Sequence, residues 1–258
     1  MTNYHFRPFS RSRIATFDVY AVGRQKNHIS VLLECDVTAA RQQVKALKAQ
    51  GRQVSFTSLL LKVIADTVDQ HKEVAAFLYN KRKLIVFDDV NISILVEKEV
   101  EGKKVPIPLV IEKAQQKSIE EIASEIERAK QARLSGKDIV LHRRTSLFES
   151  LYYRLPGAIR RMIWRYLLRH PRLVYRQMGN VGFTSVGMMG QLSGWFAHAS
   201  VHPLSFGIGS IVKKPVVKDD AVVIREILHL TILIDHDVID GAPMARFAGD
   251  LVGRVETM

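Results

Sequence analysis

The stretch LIDHDVIDGAPMARF, residues 233–247, sets a histidine at the end of an apolar run and an Asp-Gly pair four residues later. Read from the residues alone, it is a strand end, a turn and the start of a helix, with Pro243 in the first helical turn. A histidine leaving a rigid strand is the usual side chain for taking a proton near neutral pH. Gly241 permits a tight turn with unusual backbone angles. Asp240 either fixes that turn, through a hydrogen bond or an ion pair, or caps the helix that follows.

Working outward, the apolar periods alternate between helix and strand. ISVLLECDV (29–37) reads as a strand. TAARQQVKALKAQG follows as a helix with Thr38 at its N-cap and Gly51 just past its end. FTSLLLKVIADTVDQH (56–71) places Leu60, Leu61, Ile64, Ala65 and Val68 at helical spacing. KLIVFDDVNISILVE (83–97) reads as two extended runs or one bent strand, and EGKKVPIPLVI (101–111) as a turn and an edge strand carrying Pro106 and Pro108. SIEEIASEIERAKQAR (118–133) opens on a Ser118/Glu121 capping box and turns Ile119, Ile122, Ala123, Ile126 and Ala129 inward. Residues 180–187, 203–212, 221–227 and 228–235 are strand-like, and the last helix presents Met244, Phe247, Ala248, Leu251 and Val255. No repeat or low-complexity linker interrupts the chain, so the expectation is one α/β domain over 1–258, a mixed sheet flanked by helices, with a basic helical insertion at 134–179.

Composition narrows the setting. The 258 residues are 47% hydrophobic and 25% charged, an ordinary globular balance. Cys35 is the single cysteine, which excludes an intrachain disulfide, and MTNYHFRPFS holds no apolar leader; both point to a cytoplasmic protein. No apolar run has the roughly 18 residues a membrane span requires. The net charge of +12 is concentrated: residues 137–178 hold ten Lys/Arg against Asp138 and Glu149. His198 and His202 are four apart, but neither a helix nor a glutamate supports a zinc site there, so no metal is expected. Cys35, inside a strand, reads as buried.

The string DHDVIDGAPMARF resembles the C-terminal signature of the acyltransferase core of the 2-oxoacid dehydrogenase complexes, whose fold and His-x-x-x-Asp-Gly element chloramphenicol acetyltransferase shares. SRSRIA, LLECDVTAARQQVKAL, SFTSLLLKVIADTV, VNISILVE, VPIPLVIEKAQQKSIEEIASEI, FTSVGMMG and GIGSIVKKPVV follow in the family's order, covering roughly residues 8–133 and 180–256. The resemblance implies a chloramphenicol-acetyltransferase-like fold and acyl transfer between a coenzyme A thioester and a thiol or other small acceptor. It implies His236 as general base, Thr184 as the hydroxyl that donates to the oxyanion, and Asp240 holding the histidine loop through Arg11, with Gly241 in support. Ser185, one residue on, points to the opposite face of its strand. The resemblance further implies a homotrimer with the site between chains, acyl-CoA as substrate, and a lipoylated protein as a candidate partner.

Three features depart from the family's pattern. Asp237 follows the histidine where the complex cores carry arginine, and an added carboxylate raises a neighbouring histidine's pKa. Nothing resembles a lipoyl domain or an Ala/Pro linker, so the chain reads as a stand-alone relative with no lipoyl group of its own. The insertion resembles nothing in the cores. In GAIRRMIWRYLLRH, Ile159, Met162, Ile163, Tyr166 and Leu167 form one apolar face, which suits a helix packed on the sheet with a solvated cationic side. The arginines also suit coenzyme A phosphates or an anionic membrane surface. Nucleic acid is disfavoured, because no binding module accompanies the charge. The competing reading is a non-catalytic trimeric scaffold, or a membrane-surface protein, that keeps the fold.

Overall fold

The structure, a computed structural model, describes residues 2–6, 12–100, 103–132, 151–186 and 193–258. Seven helices are bounded within these residues: α1 (Ser12–Gly23), α2 (Thr38–Ala49), α3 (Phe56–Gln70), α4 (Ile119–Gln131), α5 (Gly157–Leu168), α6 (Pro171–Met178) and α7 (Gly241–Glu256). The strands are β1 (His28–Asp36), β2 (Phe77–Tyr79), β3 (Lys83–Ile85), β4 (Ile92–Val100), β5 (Lys103–Ile111), β6 (Val181–Ser185), β7 (Leu204–Lys218) and β8 (Ala221–Asp235).

Six strands form one mixed sheet in the order β1-β8-β7-β6-β4-β5; β2 and β3 pair separately. β6 runs parallel to β4 and to β7, while the remaining pairs are antiparallel. One face is the core: Ile92, Val181, Phe206, Leu230 and Ile232 pack against Leu60 and Ile64 of α3, Ile122 of α4, and Phe247 and Leu251 of α7. Every position expected to turn inward on α3 and α7 is buried. On α4 the capping box forms as expected, but only Ile122 and Ile126 are fully buried, with Ile119, Ala123 and Ala129 half-covered. The prolines of β5 sit on the sheet's edge, where a missing N–H costs no ladder bond.

The opposite face of the sheet is covered differently. Gly182, Thr184, Ser205, Gly207 and Thr231 align across β6, β7 and β8 on this side. The segment 193–203 lies directly on them. A Cβ on Gly207 would stand 2.6 Å from the Phe196 carbonyl oxygen, and one on Gly182 would stand 2.8 Å from the His202 ring. Glycine at both positions lets this irregular segment reach the sheet.

Several expectations are corrected. Residues 221–235 make one long strand: the residues up to 226 pair with β7 alone, and 227–235 pair with β1 and, except for His229 and Asp235, with β7 as well. Thr38 lies inside α2 and not at its cap; its hydroxyl donates to Asp36 Oδ1 (2.5 Å) and accepts from the Glu226 amide (2.8 Å). Residues 133–150, the first part of the 134–179 stretch, lie outside the described residues; 151–154, α5 and α6 are helical. The orientation of α5 is shifted from the expected one: of the expected apolar face, Ile163 and Leu167 are half-buried and the other three are exposed. Trp164 and Arg160 face inward onto α1, while Ile159, Met162 and Tyr166 are 39%, 62% and 59% exposed. A partly buried polar network accompanies the shift: Asp18 of α1 accepts from Arg160 Nε (2.6 Å) and from the Tyr152 hydroxyl (2.9 Å), which in turn accepts from Trp164 Nε1 (2.9 Å).

Candidate active site at the end of β8

His236 is the first residue past β8, exposed, and its backbone is fixed on both sides. The His236 amide donates to the Asn27 carbonyl (2.9 Å), and the Val238 amide closes the turn onto the Asp235 carbonyl (3.0 Å). Beneath the turn lies Asp235, buried at 2% exposure, with its amide donating to the Pro203 carbonyl (2.8 Å). Its carboxylate accepts from Lys26 Nζ and from the Asp237 amide (3.3 Å). Asn27 Nδ2 donates to Asp237 Oδ1 (2.9 Å), so the carboxylate that departs from the family's pattern is tied to the same short segment. Residues 26–28 and 235–237 thus clamp each other, 209 positions apart in the chain.

A second layer supports the clamp. His28 Nε2–H donates to the His202 carbonyl (2.8 Å), and burial pushes its pKa down. His202 is fully buried; its Nε2–H donates to the Met178 carbonyl (2.9 Å), and Nδ1 accepts from Ser200 Oγ (3.2 Å). Burial lowers its pKa from 6.5 to about 4, which keeps the ring neutral. His198 and His202 therefore belong to the packing of segment 193–203, and no group of three or more candidate metal ligands occurs among the described residues. Cys35 is buried with its thiol pushed up to about 12, chiefly by desolvation, which makes it inert as a nucleophile.

Thr184 is half-buried on β6, opposite Gly207, on the face away from the core; Ser185 pairs with Ile208 on the core side. Thr231 Oγ1 and His198 Nδ1, buried near Gly207, have no hydrogen-bond partner among the described residues. Asp240 occupies the N-cap position of α7, exposed, and its side chain makes no capping bond. Arg11, its expected partner, lies outside the described residues. Gly241 departs from the expectation: it is not among the glycines with positive φ, because it is already the first residue of α7. The turn's shape comes from the Asp235 clamp instead.

One chain does not bring Thr184 to His236. Thr184 aligns with Gly207 and Thr231, and His236 lies five residues beyond Thr231. Two strand spacings and five residues of rise separate them by about 19 Å. Beside the turn opens a cleft of about 470 Å³, walled by Lys26 and Asp237, by Phe77 and Val174, and by Arg165 and Arg169.

The family follows from matching this chain to known proteins. A family model described as 2-oxoacid dehydrogenases acyltransferase (catalytic domain) matches residues 7–139 and 171–258. The chain belongs to that family. It is an acyltransferase-family chain by that match, which leaves residues 140–170 uncovered. The lipoamide acyltransferase component of the branched-chain alpha-keto acid dehydrogenase complex of Bacillus subtilis is 27% identical over 232 residues, covering 86% of this chain and 45% of that protein. The chain spans less than half the length of the curated relatives it matches. Among solved structures, a probable dihydrolipoamide acetyltransferase from Listeria monocytogenes aligns at a TM-score of 0.70 and 21% identity, over 98% of this chain and 95% of that one. Chloramphenicol acetyltransferase aligns at 0.50 and 12%, over 96% of both chains. These likenesses show the fold expected from the sequence, a chloramphenicol-acetyltransferase-like mixed sheet flanked by helices.

Lys26, Asn27 and Asp235 escaped the sequence reading. A signal existed for one of them: TILID ends a buried strand on a carboxylate, and a charge in that position demands a partner.

Proposed function

We propose that this chain transfers an acyl group between a coenzyme A thioester and a thiol, in a homotrimer whose sites lie between subunits. His236 takes the proton from the attacking thiol, and the thiolate adds to the acyl carbonyl carbon. The resulting oxyanion accepts a hydrogen bond from Thr184 of the neighbouring subunit. Collapse breaks the original carbon–sulfur bond, and the departing thiolate takes back the proton from His236. The reaction is a thioester exchange, so it needs no oxidant or metal to balance.

The observation that carries this reading is the pairing of a family match with a histidine clamped on a turn, far from the hydroxyl that completes the chemistry. A second chain supplies what about 19 Å within one chain denies. The two-stranded end of β7 and β8 supports association, since Val217, Val222 and Ile224 are about three-quarters exposed and present an apolar strip for a neighbour to cover. A closed cyclic trimer uses one such contact per subunit. The lipoylated protein that would supply or receive the acyl group, and a cytoplasmic setting, belong to the same proposal.

An acyl-CoA donor offered to a small dithiol, with release of free coenzyme A followed, tests the reading. His236→Ala is expected to lose roughly 10²- to 10⁴-fold in rate, the worth of positioned proton transfer. Thr184→Ala is expected to lose on the order of 10²-fold, as for one oxyanion donor, with Thr184→Ser retaining activity. Unchanged turnover in a folded His236→Ala protein would overturn the mechanism. Light scattering on a sizing column should give three times 29.2 kDa, about 88 kDa.

A further inference from the structure

α5 and α6 carry the chain's densest charge, and the structure leaves most of it unanswered. Arg160 is the arginine of residues 151–178 that forms an ion pair, with Asp18. Arg154, Arg161, Arg165, Arg169, Arg172 and Arg176 are exposed, and none has an ion-pair partner among the described residues. The polar network under α5 fixes which side of the helix looks outward. Ile159, Met162 and Tyr166, spaced three and four apart, project together from that side, flanked by Arg165 on the same helix and Arg169 at its C-cap, which also border the cleft. Leu151, at 55% exposure, adds a further apolar side chain just before α5. The family model leaves residues 140–170 uncovered, and α5 falls within that stretch.

We infer that the outer face of α5, with the arginines around it, is a docking surface for an anionic lipid bilayer. The occupant is set by two requirements met on one face. The unpaired guanidinium groups call for anionic oxygens, which phospholipid headgroups supply in a plane. Met162, Ile159 and the ring of Tyr166 call for hydrocarbon immediately behind those oxygens, with the tyrosine hydroxyl at headgroup level. An acidic protein surface would answer the arginines but leave Met162 and Ile159 against polar groups. Twelve residues are too few to span a bilayer, and no described helix is long and apolar enough to do so, so α5 lies in the plane of the interface. The anchor through Asp18 ties it to α1 as a rigid float and not as a dangling tail. This inference stands apart from the acyl-transfer reading and survives its failure.

Flotation of the full chain with vesicles tests it. The chain should float with vesicles of phosphatidylcholine containing about one-third phosphatidylglycerol, stay behind with pure phosphatidylcholine, and release as salt rises. Arg165→Gln with Arg169→Gln should weaken partition about 25-fold, the product of about 5-fold per arginine near an anionic surface. Met162→Ser with Tyr166→Ser should weaken it about 10-fold while leaving the salt dependence in place. All four side chains are exposed, and an unchanged thermal unfolding midpoint confirms that each variant is folded. Failure to float with the anionic vesicles would overturn the proposal. So would flotation that ignores the Met162/Tyr166 pair, or displacement from vesicles by soluble polyglutamate at equal charge, which would assign the face to an acidic polypeptide.

Discussion

The turn at residues 235–238 and the helices of residues 157–178 face each other across one cleft and treat charge in opposite ways. In the turn, Asp235 is buried against Lys26, Asp237 is held by Asn27, and the His236 amide donates to the Asn27 carbonyl. Along α5 and α6 one arginine is half-buried and paired, and five are exposed without an ion-pair partner among the described residues, Arg165 and Arg169 of them on the cleft. Paired, buried charge holds a geometry still, and unpaired, exposed charge acts on something outside the fold. The difference separates a part of the molecule built for position from a part built for attraction.

That contrast can be broken by experiment, most sharply at the clamp. Asp235→Asn leaves the Lys26 ammonium without its carboxylate, and should cost about 2–3 kcal/mol, the low end for a broken buried pair because Lys26 keeps partial solvent contact. Urea unfolding reads the loss directly. A change below about 0.5 kcal/mol would show that the pair does not hold the turn.

Acid probes the layer beneath. His202 stays neutral in the fold, with its pKa lowered from 6.5 to about 4, whereas the unfolded chain takes up a proton below 6.5. Its stabilising contribution is therefore complete above pH 6.5 and is lost as pH falls toward 4. Between pH 7 and pH 5 this one residue should cost about 2 kcal/mol of unfolding free energy. His202→Gln should flatten the slope over that window, and an unaltered slope would place the acid sensitivity elsewhere.

The smallest effect belongs to the other side of the cleft. Arg165→Ala and Arg169→Ala together should change stability by no more than about 0.5 kcal/mol, as for exposed side chains with no partner in the fold. A large destabilisation would mean that these arginines are structural after all.

Most of the sheet and five of the helices were legible in the sequence because their signals are local. The 3.6-residue period of residues 56–70, the Ser118/Glu121 box and the apolar run into Asp235 each lie within a few positions of what they specify. The features that were not legible depend on distant partners. α1 carries no strong apolar stripe and is held partly through Asp18, whose partner Arg160 is 142 residues away. The same pair bears on the rotation of α5, where Ile163 and Leu167 of the expected apolar face are half-buried while Ile159, Met162 and Tyr166 are exposed. His236 and Thr184 could be singled out from the resemblance. Their separation within one chain could not, because it depends on strand register, which no single stretch of sequence carries.

The central claim is that His236 and Thr184 act from different subunits, and subunit mixing tests it most directly. His236→Ala and Thr184→Ala proteins, each nearly inactive, are dissociated together in mild denaturant and allowed to reassemble. Every mixed trimer then contains one interface with an intact His236 facing an intact Thr184. Random mixing of equal amounts should restore about a quarter of wild-type acyl-transfer activity, since one interface in four receives both intact residues. Activity that stays at the level of the two separate variants, in a reassembled trimer of the expected size, would contradict the account.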